Sequence, residues 1–212
     1  MKIALVGASG FVGSAVLKEA ISRGHTVTAI ARNAAKVGAG PNVTVEAADV
    51  GDTGRLGEIF AANDVVISAF NGGWGDADIH AKHLKGSRDI AEAAKAAGKR
   101  LIVVGGAGSL YAPDGSQFVD QPDFPAEWRE GARAARDVLA ELRGGEWKDW
   151  TFVSPAFVLA PGNRTGKFRL SGESPVFDEK GESRISVEDL AAALVDEAET
   201  PRHTGKRFTL GY

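Results

Sequence analysis

Lys2-Ile3-Ala4-Leu5-Val6-Gly7-Ala8-Ser9-Gly10-Phe11-Val12-Gly13 opens the chain and decides its fold. The apolar run Ile3–Val6 reads as a strand. From Phe11 onward, Val12, Ala15, Val16, Ala20 and Ile21 recur at helical spacing. The three glycines between them have distinct tasks: Gly7 permits a tight turn, Gly10 leaves room for a diphosphate beside the backbone, and Gly13 lets the helix lie close to the sheet. Free amides at the helix start then face the anion. Gly24 stops the helix, and the β-rich Thr26–Ala31 completes a βαβ unit.

Beyond this unit, strands and helices alternate. Strands are expected over Asn42–Ala47, Asp64–Phe70, Arg100–Gly105, Asp149–Val153 and Lys206–Leu210, the last closing the sheet as its edge. Helices are expected over Asp52–Ala62, His80–Ala97, Ala126–Arg143 and from Ser186, where Ser186-Val187-Glu188-Asp189 has the capping-box pattern. Such alternation implies an α/β fold, a Rossmann-type doubly wound parallel sheet. Residues 155–185 lose periodicity and gather turn residues, so they read as short strands or hairpins forming a substrate flap on a single dinucleotide-binding domain, 1–212.

Composition narrows the function classes. With 212 residues, a net charge of -3 and no cysteine, the chain has no basic excess for nucleic acid and no thiolate for catalysis or metal binding. The chain enters its first strand by residue 3, and no apolar run nears the roughly 18 residues of a membrane span. A cytoplasmic protein is expected, with oligomeric state left open.

Cofactor contacts are expected at Gly7, Ser9, Gly10, Phe11, Val12 and Gly13. Arg32 ends the second strand where such folds meet the adenosine ribose; a cation there, with Lys36 and Ser9 nearby, favours NADP(H) over NAD(H), unless Arg32 is an ordinary solvated charge. Asp49, followed by Val50, either accepts from the adenine amino group or caps a turn. Ala69, Phe70 and Gly106 lie at later strand ends, where the sheet meets its ligand. His80 and His83 are three apart, but two histidines without a third ligand make a poor metal site, and a solvated helix face is the expectation. Trp74 and Phe157, with Phe70 and Tyr111, are placed to form an aromatic wall for a substrate, or else to pack loops. Ser109 and Tyr111 are the candidate catalytic residues, able to supply a hydrogen bond or proton, with turn packing as their alternative role.

On these residues the chain resembles the atypical short-chain dehydrogenase/reductase superfamily. The resemblance is to its branch of small NAD(P)H-binding proteins described as NADH-flavin reductases, with NmrA-like and biliverdin-reductase-B-like relatives. It rests on Gly7–Gly13, Arg32, Asp49-Val50, Trp150-Thr151-Phe152-Val153-Ser154-Pro155-Ala156 and Ser186-Val187-Glu188-Asp189-Leu190-Ala191. The resemblance implies a sheet ordered 3-2-1-4-5-6-7 and a small C-terminal substrate region. It also exposes a departure, because the superfamily's Tyr-x-x-x-Lys pair is missing: the tyrosines are Tyr111 and Tyr212, and the fourth residue after Tyr111 is Gly115.

Reduction of a flavin, or of another flat acceptor such as a quinone, survives that loss, since water can supply the compensating proton and orientation matters most. A dinucleotide sensor without turnover, and an epimerase- or dehydratase-like enzyme, are the competing expectations.

Overall fold

The computed structural model describes residues 1–38 and 40–212. Its first strand shows why the opening run is apolar without interruption. In β1 (Lys2–Val6), Ile3 and Leu5 join the core on one face of the sheet while Ala4 and Val6 join the core on the other. A strand covered on both faces has no polar side to show.

β1 pairs in parallel with β2 (Thr26–Ala31), which in turn pairs with β3 (Val43–Ala47). On its other side lie β4 (Val65–Ser68), β5 (Arg100–Val104) and β6 (Trp150–Ser154), all parallel. β7 (Val158–Ala160) and β9 (Arg184–Ser186) form a separate two-stranded parallel sheet. The main sheet continues from β6 to the parallel β10 (Lys206–Gly211) and ends at the antiparallel β8 (Arg169–Ser171), giving the order β3-β2-β1-β4-β5-β6-β10-β8. The first seven places follow the expected order. β10, however, is not the edge, because β8 covers its outer side.

Helices clothe the two faces unequally. α1 (Phe11–Ser22) and α5 (Val187–Glu199) bury Val16, Leu17, Ala20, Leu190, Ala191 and Leu194 against one face. α2 (Thr53–Ala61), α3 (Ile79–Ala96) and α4 (Ala126–Gly144) bury Leu56, Phe60, Ile90, Ala94, Val138 and Leu139 against the other. At about 1.5–3 kcal/mol per fully buried large apolar side chain, these two layers are the main source of stability. None of the described helices is long and apolar enough to cross a membrane.

The cap of α5 departs from the capping-box expectation. Asp189 N donates to Ser186 Oγ at 3.0 Å, the first half of the box. The Asp189 carboxylate does not return to the Ser186 amide; it accepts from Thr165 N (2.9 Å), Gly166 N (2.8 Å), Thr165 Oγ1 (2.6 Å) and Tyr212 Oη (2.8 Å). The Ser186 amide donates instead to Tyr212 Oη at 3.2 Å. Burial works against ionisation of Asp189, but these donors hold its pKa below the usual carboxylate range. The cap thereby fastens residues 163–166 and the C-terminus to α5.

Segment 155–185 contains no hairpin. Its three short strands divide between the small sheet and the edge of the main one.

Candidate functional site

The carboxyl ends of the parallel strands open onto a cavity of about 680 Å³. One end of it is the glycine loop. Gly7 adopts φ +77°, and a Cβ there would lie 2.6 Å from Ala69 O, so the end of β4 passes directly beneath the turn. A Cβ on Gly13 would come within 2.1 Å of Gly7 O. Gly13 is therefore required by close approach to the loop's first glycine rather than to the sheet, a refinement of the expected role. Gly10 is different: its Cβ would meet only Gly7 O, at 3.2 Å, and the space outward is open.

Gly10 is also the N-cap of α1, with no side-chain cap and no acidic residue in the first turn. The amides of the first turn of a helix have no intrahelical acceptor, and the dipole leaves this end positive. A backbone cradle kept clear of side chains at an uncapped helix start fits the diphosphate of a dinucleotide.

From Gly10, Phe11 and Val12 the cavity runs past Ala69, Phe70 and Asn71 after β4, Val104–Gly108 after β5, and Pro155, Ala156, Phe157 and Leu159 after β6. Its far wall is aromatic. Trp74 and Trp128 face each other with ring centroids 6.5 Å apart, and both are largely exposed at 63% and 55%. Phe157 packs edge-on to Phe118 at 4.7 Å and leans on Phe177 at 6.4 Å.

Two helix glycines receive rings. A Cβ on Gly131 would lie 2.6 Å from the Trp74 indole, and one on Gly86 would lie 2.5 Å from the Phe70 ring. Val50 Cγ2 closes the same Gly86 notch, at 3.1 Å. Trp128, Gly131, Ala132 and Ala135 are what α4 contributes to the lining.

Gly10, Phe11, Val12, Ala69, Phe70, Gly106, Trp74 and Phe157 are thus brought to one space. Arg32, Asp49 and Val50 lie outside it, after the ends of β2 and β3. Arg32 and Lys36 are exposed, and neither side chain has a hydrogen-bond or ion-pair partner among the described residues. Asp49 is exposed and accepts from Gly51 N at 2.8 Å, the turn-capping bond that was one of its two expected roles. Ser9 is exposed on the loop.

Ser109 and Tyr111, the expected catalytic pair, do not line the cavity. Arg207, itself fully buried, donates from Nη1 to both the Ser109 carbonyl and Oγ at 2.9 Å, and its guanidinium lies 5.8 Å over the Tyr111 ring. Burial pushes the Arg207 pKa down, and its ion pair with Glu173 opposes that. Among the described residues the buried guanidinium is paired through Nη1 and Nη2 but not through Nε, and Ser109 supplies two of its acceptor atoms. These contacts match the turn-packing alternative given for both residues.

Sequence reasoning also missed His83. His80 is half-buried rather than freely solvated, and donates to Asp137 Oδ2 of α4 at 2.8 Å. His83 is buried, lines the cavity and stacks on Phe70, with centroids 5.8 Å and planes 5° apart. Desolvation by burial, with the nearby His80 charge adding to it, lowers its pKa to about 4. The fall of the pattern at His83 was readable in principle, because Ile79, His83, Gly86 and Ile90 share helical spacing with the buried side of α3.

Comparison with known proteins agrees with this geometry. A family model described as NAD(P)H-binding matches residues 7–201. The protein YwnB of Bacillus subtilis is 38% identical over 213 residues, covering 99% of this chain and 98% of that one. A Bacteroides thetaiotaomicron structure provisionally named an epimerase superposes with TM-score 0.91 at 41% identity, covering 100% of this chain and 96% of that one. A Streptococcus pneumoniae structure provisionally named an NADH-flavin reductase gives 0.88 at 38%, covering 100% and 99%. The glycine cradle, the doubly wound sheet and these matches together place the chain in the NAD(P)H-binding family of atypical short-chain dehydrogenases/reductases.

Proposed function

We propose that the protein is an NAD(P)H-dependent oxidoreductase that reduces a flat acceptor, a flavin or a quinone, with NADP(H) preferred over NAD(H). The observation that carries this reading is a single cavity joining the uncapped glycine loop to a wall of Phe70, Trp74, Trp128 and Phe157. When bound, the reduced nicotinamide supplies the hydride.

The chain's own residues have the remaining tasks. Gly7, Gly10 and Gly13 hold the loop open, and the amides near Phe11 and Val12 take the diphosphate. Ser9 and Arg32 answer a 2′-phosphate, while Asp49 and Val50 flank the adenine end. Ala69, Phe70 and Gly106 form the floor, and Trp74 and Phe157 clasp the acceptor by its faces.

An apolar space of this kind fixes two planar groups against each other, which is the main requirement of hydride transfer. Sugar epimerisation and alcohol oxidation need a tuned proton donor. The name of the Bacteroides relative suggests such chemistry, but α4 offers the cavity only Trp128, Gly131, Ala132 and Ala135. The same apolar character also favours a second reading, a dinucleotide sensor with no turnover.

NADPH oxidation with FMN, riboflavin and a 1,4-quinone, each against a protein-free control, tests the proposal. Protein-dependent turnover with at least one acceptor is expected. Calorimetric binding of NADPH with rates at the control level for every acceptor would select the sensor.

A further inference from the structure

The cavity is apolar except for Asn71, His83, Gln121 and Asp123. The three besides His83 are less buried: Asn71 and Gln121 are half-buried and Asp123 is exposed. Asn71 Oδ1 accepts from Gly73 N at 2.8 Å, Gln121 Nε2 donates to Ser116 Oγ at 3.3 Å, and Asp123 is on the exposed rim. His83 alone is a polar side chain sealed within the wall, 6% exposed.

Its position is over-determined. A Cβ on Gly72 would lie 2.6 Å from the His83 amide, so the turn after β4 presses against α3 at this residue. Phe70 fixes one face of the imidazole. Ile79, one turn earlier on the same side of α3, reaches toward Gly131, where its Cδ1 would lie 3.1 Å from an added Cβ beside the Trp74 indole. His83 therefore sits between the Phe70 and Trp74 parts of the wall.

Neither ring nitrogen has a hydrogen-bond partner among the described residues. Nδ1 is wholly buried and unpartnered. His83 lines the cavity, and Nε2, unlike Nδ1, is not among the sealed unpartnered atoms, which makes it the nitrogen for a ligand to reach. Burying an unpaired N–H is costlier than burying an unpaired lone pair, which puts the proton of the neutral ring on Nε2.

We infer that His83 Nε2–H is the hydrogen-bond donor that recognises a carbonyl oxygen on the edge of the flat acceptor, which restricts the acceptor class to carbonyl-bearing rings such as quinones and the isoalloxazine of flavins. The inference rests on the oxidoreductase reading and specifies its substrate. His83 stays neutral throughout: it donates a hydrogen bond to an oxygen that gains negative charge as the ring is reduced, and the proton that completes the reduction comes from water. A preorganised neutral donor in a water-poor site stabilises developing charge without reorganising.

The test compares wild type with His83→Phe, which keeps the stack on Phe70 and removes the donor, and His83→Gln, which restores an N–H. Two flat acceptors are used, a 1,4-quinone and a phenazinium dye lacking carbonyl groups. Each is measured by kcat/KM with NADPH and by equilibrium binding to the NADP-loaded protein. In His83→Phe the quinone-to-phenazinium ratio falls about tenfold, the loss of one hydrogen bond worth about 1.4 kcal/mol, and His83→Gln recovers much of it. An unchanged ratio, an equal loss for both acceptors, or weakened binding of the dinucleotide itself would overturn the inference.

The binding measurement does not depend on turnover, so an inactive wild type would defeat the oxidoreductase reading separately. Nitrogen NMR of the imidazole decides the tautomer: an Nε2–H is expected, and an Nδ1–H would refute the assignment.

Discussion

Replacing His83 by Phe should change how stability depends on pH, and the size of the change follows from its surroundings. The folded protein holds this imidazole at about 4 against an ordinary value of 6.5, because burial beside Phe70 disfavours the cation and His80 repels it. Between those values the unfolded chain binds a proton that the folded chain refuses, so stability rises with pH in this window. The contribution is fully present above about 6.5 and is withdrawn as pH falls toward 4.

At roughly 1.4 kcal/mol for each pH unit of the depression, wild type should lose about 2 kcal/mol by pH 5 and about 3 kcal/mol by pH 4 from this residue alone. His83→Phe has no such penalty. Urea unfolding of both proteins at pH 7.5, 6 and 5 isolates the effect, because other acid-sensitive groups cancel in the difference. The variant should gain about 2 kcal/mol on wild type between pH 7.5 and pH 5. A difference that stays constant across this range would show that His83 is not held neutral by burial.

Three further perturbations test separate parts of the site. Arg32→Glu should raise the Kd for NADPH by about 10- to 100-fold, the worth of a hydrogen bond between charged groups, while leaving NADH binding nearly unchanged; equal effects on both would remove Arg32 from 2′-phosphate recognition. Gly131→Ala puts a methyl group 2.6 Å from the Trp74 ring, whose far end can swing away. The variant should gain up to about 1 kcal/mol from helix propensity, shift the tryptophan emission and raise KM for the acceptor several-fold; an unaltered KM would separate Trp74 from the acceptor. Ser109→Ala should lower the melting temperature by a few degrees, since Arg207 loses one acceptor, yet leave NADPH oxidation within about twofold. A large fall in kcat without loss of stability would restore Ser109 to the chemistry.

Most of the sheet was legible because its determinants are local. A strand buried on both faces must be largely apolar, as Ile3–Val6 and Val65–Ile67 are, and glycine spacing reports backbone approach directly. The outer edge was not legible. Arg169–Ser171 is three residues long with two of them exposed, and its pairing with β10 is antiparallel and distant in sequence.

The glycine loop at one end of the cavity could be read for the same local reasons, whereas the make-up of its aromatic wall could not. Ser109 was an attractive candidate by position alone, and only the buried Arg207, remote in the chain, shows that its hydroxyl is spoken for. Gly86 and Gly131 look like weak points of helices, but they are notches for Phe70 and Trp74, rings that approach from other elements. The spacing of His83 with Ile79 and Ile90 marks the buried side of α3, but what packs over the imidazole, the Phe70 ring and the turn at Gly72, comes from other elements and was not legible.

The most direct test of the central claim, that the uncapped start of α1 receives the dinucleotide's diphosphate, is calorimetric titration of NADPH into wild type and Gly10→Asp. Aspartate is a favourable N-cap residue, and Gly10 already has the extended conformation of a cap (φ -80°, ψ 174°), so the variant should fold and melt close to wild type. Its carboxylate would occupy the open space above Gly7 and repel the anion, so saturable binding is predicted for wild type with none detectable for the variant. Equal affinity in the two proteins would contradict the claim.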